Sequence, residues 1–258
     1  MILFALGIIA IYMSFWFLVS RIIKRNDVAD VAWGFGFVLL AWALFVKSPN
    51  DQLAAAVFLV TLWGLRLGIH VFLRNRKKKE DYRYQQWRKE WGKWFTLRSF
   101  LQVFMLQGFL LVVISAPLIA MANSKLSIDF NLLHLLGIFI WSIGFFFEAV
   151  GDYELIKFTK DPKNKGKIMQ AGLWRYSRHP NYFGEVTQWW GIWLISSGAS
   201  WFIFAVIGPL TITTLILKIS GIPLLERKYE GNKEYEQYKA RTSKFFPLPH
   251  KKLGNKRS

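Results

Sequence analysis

Long apolar runs punctuated by short basic segments dominate this chain and leave it few folds to choose from. A helix rises about 1.5 Å per residue, so about 20 apolar residues cross the hydrocarbon of a bilayer. Runs of that kind lie at about 1–20, 28–46, 52–73, 99–121, 131–150, 183–198 and 201–219. The last two are short and are joined by "SSGAS" at 196–200, so they form a full hairpin or a re-entrant pair. The expected fold is all-α: a polytopic membrane protein with seven transmembrane helices in one domain over 1–247 and a basic flexible tail at 248–258. The first run, "MILFALGIIAIYMSFWFLVS", has no basic residue before it and no small-residue cleavage site after it. It reads as a retained span rather than a leader.

The net charge of +18 does not argue for nucleic acid, because nearly all the charges flank apolar runs. Segments 21–27, 74–98, 151–182 and 218–258 hold 31 of the 34 Lys and Arg, and the intervening connections hold only Lys47 and Lys125. Basic loops stay in the cytoplasm, so the N-terminus is expected outside and the C-terminus inside. The absence of cysteine excludes disulfides, thiolate metal sites and cysteine catalysis. Histidines stand at 70, 134, 179 and 250, with no pair at short ligand spacing, so no metal site is expected.

In "EDYRYQQWRKEWGKWF" at 80–95, Tyr84, Trp87, Trp91 and Trp94 recur at three- and four-residue steps. That spacing predicts a helix lying at the membrane interface, either as a passive anchor or as a lid over a lipid entrance. The tail over 224–246 reads as a soluble amphipathic helix ending at "FFPLP".

A charged residue at mid-bilayer costs about 2.5–3.5 kcal/mol on insertion scales, so polar residues inside spans point to function. Arg66 and His70 lie one turn apart on the third run, with Trp63 on the same face. Asp30 opens the second run, Glu148 and Asp152 close the fifth, and Glu185 lies early in the sixth. Asp30, Arg66, His70, Glu148 and Asp152 fall toward cytoplasmic ends, as expected for a polar cavity opening to that side. Snorkelling or paired charges that lock the bundle are the structural alternative.

The densest polar cluster is "GLWRYSRHPNYFGE" at 172–185. Pro180 suits the first turn of a helix, which places Asn181, Tyr182 and Glu185 on one face with Gln188 and Trp189 on the next turns. The free N–H groups of that helix start attract anions, and Arg175, Arg178 and His179 stand just before it. The preceding "KFTKDPKNKGKIMQ" adds five lysines, Lys167 among them. Such a cluster suits a large anionic ligand, with arginines on phosphate and aromatics on a planar ring. No GxGxxG after a strand and no P-loop is present.

This motif, followed by "QWWG", preceded by "GDYE" and completed by "YKARTSKFFP", resembles the steroid 5-alpha-reductase family, including its uncharacterised bacterial members. The resemblance runs over about 130–247. The "RHPNY" core also resembles the sterol C14-reductase family and, more loosely, isoprenylcysteine and phospholipid methyltransferases. The reductase resemblance implies a seven-helix membrane enzyme that holds NADPH in a cytoplasm-facing cavity and reduces an activated C=C bond of a lipid-like substrate. It places Asn181, Glu185 and Trp189 at the nicotinamide and ribose, and Glu148 and Asp152 against the cofactor from the fifth span. Arg175, Arg178 and His179 would face the phosphates. Lys167, Tyr176 and Tyr182 complete the expected cofactor-binding set.

Where the animal steroid reductases have a Glu and a Tyr that hold the substrate ketone, this chain has Asp30 and Trp63. Asp30 is the expected proton donor, and Arg66 or Tyr12 stands in for the missing phenol. "GIPLLERKYE" replaces the His and Tyr of the animal tail. These departures favour an enone or enoyl lipid over a steroid. The resemblance further implies a bacterial inner membrane, lipids as the surroundings, and neither nucleic acid nor metal as partner. The alternative is an S-adenosylmethionine-dependent membrane methyltransferase. That cofactor is cationic and gains little from an arginine-flanked helix start, whereas NADPH carries several negative charges.

Overall fold

A computed structural model describes residues 1–76, 78–124 and 131–250. The chain runs α1 (Ile2–Ile23), α2 (Val28–Lys47), α3 (Asp51–Asn75), α4 (Tyr82–Ile114), α5 (Ala116–Asn123), α6 (Leu132–Lys160), α7 (Pro180–Ile195), α8 (Phe204–Arg227) and α9 (Lys233–Arg241). No strand occurs among the described residues; an isolated bridge pairs Ser177 with Ser243. Six of these helices, all but α5, α7 and α9, are long and apolar enough to cross a membrane. The protein is therefore all-helical and of the integral, multi-pass kind. The expected sixth run is α7, whose 16 residues make it shorter than those six.

Two expected elements change shape. The run at 99–121 is not one helix. Ser115 leaves helical geometry and Pro117, which lacks an N–H, starts α5 instead of continuing α4. The helix expected over 224–246 is also interrupted. Gly231 takes a left-handed φ of 80°, Asn232 caps α9 by accepting from the Tyr235 N–H at 3.1 Å, and α9 stops at Arg241. Most of the flexible tail expected at 248–258 lies outside the described residues.

The described residues fall into two compact units, one of 1–131 with 195–208 and the other of 132–194 with 209–250. In the first, α2 and α3 form a hairpin whose turn is capped by Asn50, which accepts from the Leu53 N–H at 2.8 Å. Their backbones meet at glycine: a Cβ on Gly34 would stand 2.7 Å from the Gly64 carbonyl oxygen. Gln52 donates to the carbonyls of Ile195 and Ser197, tying the 196–200 turn to the start of α3. Asp81 caps the first turns of α4, and Gly92 with φ 47° ends them, so the aromatic and basic segment closes before the apolar part of the helix begins. Tyr84 is the buried end of the expected aromatic stripe, edge-on to Trp87 at 5.4 Å, Trp87 and Trp91 stack at 5.2 Å, and Trp94 is exposed.

In the second unit α6 extends to Lys160, ten residues past the expected end of its run. Glu148 and Asp152 are therefore interior positions of a continuous helix. Gly137, Gly144 and Gly151 line one stripe of α6, and Gly184 and Gly191 answer them from α7. A Cβ on Gly144 would lie 2.6 Å from the Gly184 carbonyl, and one on Gly191 would lie 2.6 Å from the Gly137 carbonyl. The two helices thus touch backbone to backbone.

Candidate functional site

The 172–185 motif sits on "GDYE" of α6, and three of those four residues hold it directly. Gly151 accepts from the Trp174 indole N–H at 3.0 Å, Asp152 from the Asn181 amide at 3.0 Å, and Glu154 from the Leu173 N–H at 2.9 Å. Gly172 takes a φ of 58° and passes so close to Glu154 that a Cβ would collide with its carboxylate. Glycine meets both demands without displacing the Glu154 carboxylate from the Leu173 N–H. The co-occurrence of the two sequence motifs thus has a simple physical cause.

From there the motif divides. Trp174, Ser177, Arg178 and His179 are buried, whereas Arg175 and Tyr176 are exposed, as is Lys167 in the preceding loop. Arg178 and His179, expected to face phosphates, turn inward instead. Glu226 accepts from Arg178 Nε at 2.9 Å, from His179 Nε2 at 3.1 Å and from the Tyr235 hydroxyl at 3.1 Å. Arg178 Nη1 also donates to the Thr242 carbonyl at 2.8 Å. Burial holds the His179 imidazole below its ordinary pKa, against the opposing pull of Glu226 and with help from Arg178 and Lys244. The cations that remain open toward an anionic ligand are Lys167 and Arg175.

Pro180 opens α7 as its spacing predicts, and His179 stacks on Tyr182 at 5.8 Å. Along the α6–α7 contact two carboxylates meet two amides. Asn181 donates to Asp152, and Gln188 donates to Glu148 at 2.5 Å. Glu148 and Gln188 are 2% and 1% exposed, so this polar ladder runs through an otherwise apolar helix pair. The carbonyl oxygen of Gln188 has no hydrogen-bond partner among the described residues, an arrangement that costs about 1–3 kcal/mol until a donor meets it. Trp189 is buried beside it in sequence, and Tyr182 and Glu185 are half-buried. Gln188 completes the set that the motif began.

The other expected residues belong to the first unit. Asp30 accepts from the Tyr84 hydroxyl at 3.0 Å and faces Arg83 Nη2 at 3.5 Å. Tyr84 thus brings a phenol to Asp30 from α4. The Tyr12 hydroxyl is engaged by the Ala32 carbonyl at 2.9 Å, and Trp63 is buried against Phe37. Arg66 and His70 are half-buried on α3. Spacing within "EDYRYQQW" grouped Tyr84 with the tryptophans, and only the tertiary contact reveals its separate role. No cluster of three or more His, Cys, Asp or Glu suited to a metal ion occurs among the described residues.

An uncharacterized protein of Schizosaccharomyces pombe, C594.04c, is 25% identical to this chain over 87% of its length and 73% of the yeast protein's. No solved structure matches. A family profile described as "Protein of unknown function (DUF1295)" matches residues 16–242, nearly the whole helical region just described, and the chain belongs to that family.

Proposed function

We propose that the protein is an NADPH-dependent reductase of an activated C=C bond in an enone or enoyl lipid, steroid-like or other. The observation that carries this reading is the ladder of Glu148, Asp152, Asn181 and Gln188, polar groups concentrated inside an apolar helix pair where they are costly. The family's association with steroid 5-alpha-reductase-like proteins supports the same reading. The residues suit the cofactor: exposed Lys167 and Arg175 answer its phosphates, and Asn181, Tyr182 and Glu185 offer hydrogen bonds to ribose and amide. The buried Gln188 carbonyl offers an acceptor to an amide N–H. Bound NADPH would supply the hydride. Asp30, hydrogen-bonded to Tyr84, is the assigned proton donor, and Arg66 is the second polar residue given to the substrate. We further place α7 and α8 as a crossing hairpin, which makes seven spans of a bacterial inner membrane with the C-terminus cytoplasmic.

The test is titration of the detergent-purified full chain with NADPH, NADH and S-adenosylmethionine, reading nicotinamide fluorescence and thermal midpoint. Micromolar or tighter binding of NADPH is expected, weakened at least about tenfold, or about 1.4 kcal/mol, in Asn181→Ala and Glu185→Ala. Stabilisation by S-adenosylmethionine with none by NADPH overturns reduction in favour of methyl transfer. If neither binds, the ladder is structural and the enzyme reading fails.

A further inference from the structure

One carboxylate organises the buried half of the motif. Glu226 Oε1 lies 2.9 Å from Nε and from Nη2 of Arg178, and it also takes His179 Nε2 and the Tyr235 hydroxyl. The chain after it then grips the motif residue by residue. The Tyr238 hydroxyl donates to the Trp174 carbonyl, and the Leu248 N–H donates to the Tyr176 carbonyl at 3.0 Å. The Ser177 hydroxyl donates to the Phe245 carbonyl at 2.7 Å, and the Arg178 N–H to the Ser243 carbonyl at 2.9 Å. Residues 174, 176, 177 and 178 are thus all fastened to the stretch from Tyr238 to Leu248. The peptide unit so fastened leads directly into Pro180 and the face of α7 that carries Asn181, Tyr182 and Glu185.

We infer that Glu226 is a positioning residue. It neutralises Arg178, orients both Arg178 and His179, closes the C-terminal segment over the motif, and thereby fixes the start of α7 for binding a polyanionic nucleotide. This rests on the reading of the 172–185 motif as a cofactor-binding element. It makes a prediction opposite in sign to simple electrostatics. If Arg178 and His179 bound phosphate, removing the neighbouring carboxylate would strengthen the binding of an anion. If Glu226 positions them, removing it weakens binding although the site becomes more positive.

The experiment uses the purified full chain and NADPH as probe, with Glu226→Gln, Tyr235→Phe and a destabilised control, Asn50→Ala, which removes the cap of α3 in the first unit. Glu226→Gln is expected to weaken NADPH at least about tenfold and Tyr235→Phe about threefold, about 1.4 and 0.7 kcal/mol respectively. The control should leave the affinity unchanged at equal loss of thermal midpoint. A pH profile separates positioning from plain destabilisation. His179 faces Glu226 of α8, Arg178 beside it, Lys244 of the tail and Tyr182 of α7, with Tyr235 of α9 on the same carboxylate. Without the carboxylate, which favours the imidazolium, the acid limb of binding moves to lower pH in Glu226→Gln and stays in place in the control. Unchanged or tighter NADPH binding by Glu226→Gln overturns the inference. Should the wild-type chain bind no NADPH, the cofactor reading fails on its own, and trypsin still tests the clasp. Cleavage after Lys239, Arg241 or Lys244 is expected to quicken several-fold in Glu226→Gln and Tyr235→Phe, and unaltered cleavage in both refutes it.

Discussion

His179 is 4% exposed and neutralised by its surroundings, so it carries a pH dependence into the stability of the fold. In the unfolded chain it protonates near pH 6.5, and in the folded chain only at lower pH, because burial disfavours the imidazolium. Between those two values the unfolded state binds more protons, so stability is full above the unfolded value and is lost as pH falls toward the folded one. The thermal midpoint in detergent is therefore expected to be flat above about pH 7 and to decline below it. His179→Gln, which keeps a donor toward Glu226, should flatten that decline, and an unchanged slope would assign it to other groups. His179 was legible as part of a motif, but its partner was not. Glu226 lies 47 residues away in a segment that reads as a basic, soluble tail, and nothing local marks it as a partner of the motif. Side chains inside "RHPNY" looked equivalent in sequence because residue type announces charge but not the direction in which the charge points. Arg175 is exposed, whereas Arg178 is enclosed by its hydrogen bonds to Glu226 and to the carbonyls of Thr242 and Ser243.

The elements of the second unit depend on the glycine stripe as much as on hydropathy. At Gly184 a Cβ would strike the Gly144 carbonyl and the Glu148 N–H, both helix backbone that cannot yield. Gly184→Ala should therefore force α6 and α7 apart, costing about 1–3 kcal/mol of stability and drawing Gln188 and Asn181 away from their carboxylates. Gly7→Ala on α1 makes the contrast, since nothing lies within 4 Å of the added methyl. It should be neutral or stabilising by up to about 1 kcal/mol, as alanine is the better helix former. Thermal midpoints of the two variants decide it, and a Gly184→Ala chain as stable as wild type would mean that the helices are not held at this distance. The sevenfold spacing of these glycines is visible in the chain, yet apolar runs alone do not say which helix they face. Nor does an apolar run say how far its helix extends: charges at 148 and 152 close the apolar run of α6, but helical hydrogen bonding is indifferent to side-chain polarity and the helix continues to Lys160. Conversely, the break at Ser115–Pro117 was written in the chain by an amino acid that cannot continue a helix, and the apolar run on both sides concealed it.

At the scale of the whole molecule, the distribution of Lys and Arg makes a stronger statement than any helix length. With 31 of 34 basic residues in alternate segments, each reversal of the chain is charged on one side only. The six long helices leave α7 as the deciding element. Its 16 residues rise about 24 Å, short of the usual hydrocarbon thickness of about 30 Å. Two features favour a crossing all the same. The 196–200 turn that follows carries no charge, and Gln52 donates to the carbonyls of Ile195 and Ser197, so the buried C-terminal end of the helix is supplied with donors. Because the chain has no cysteine, single substitutions report position without background. Cysteines at Ser48 and Ser200 should react with a membrane-impermeant maleimide added outside intact cells, and a cysteine at Ser243 only after permeabilisation. A chain in which α8 crosses and α7 does not reverses the last two, with Ser200 protected and Ser243 labelled. A re-entrant pair protects both and leaves only Ser48 accessible. The charge pattern excludes the second outcome, which would carry the C-terminal segment, with 11 Lys and Arg over 218–258, to the side that holds only Lys47 and Lys125, and the Gln52 contacts, which hold the turn beside the α2–α3 end that carries Ser48, predict the first outcome over the third.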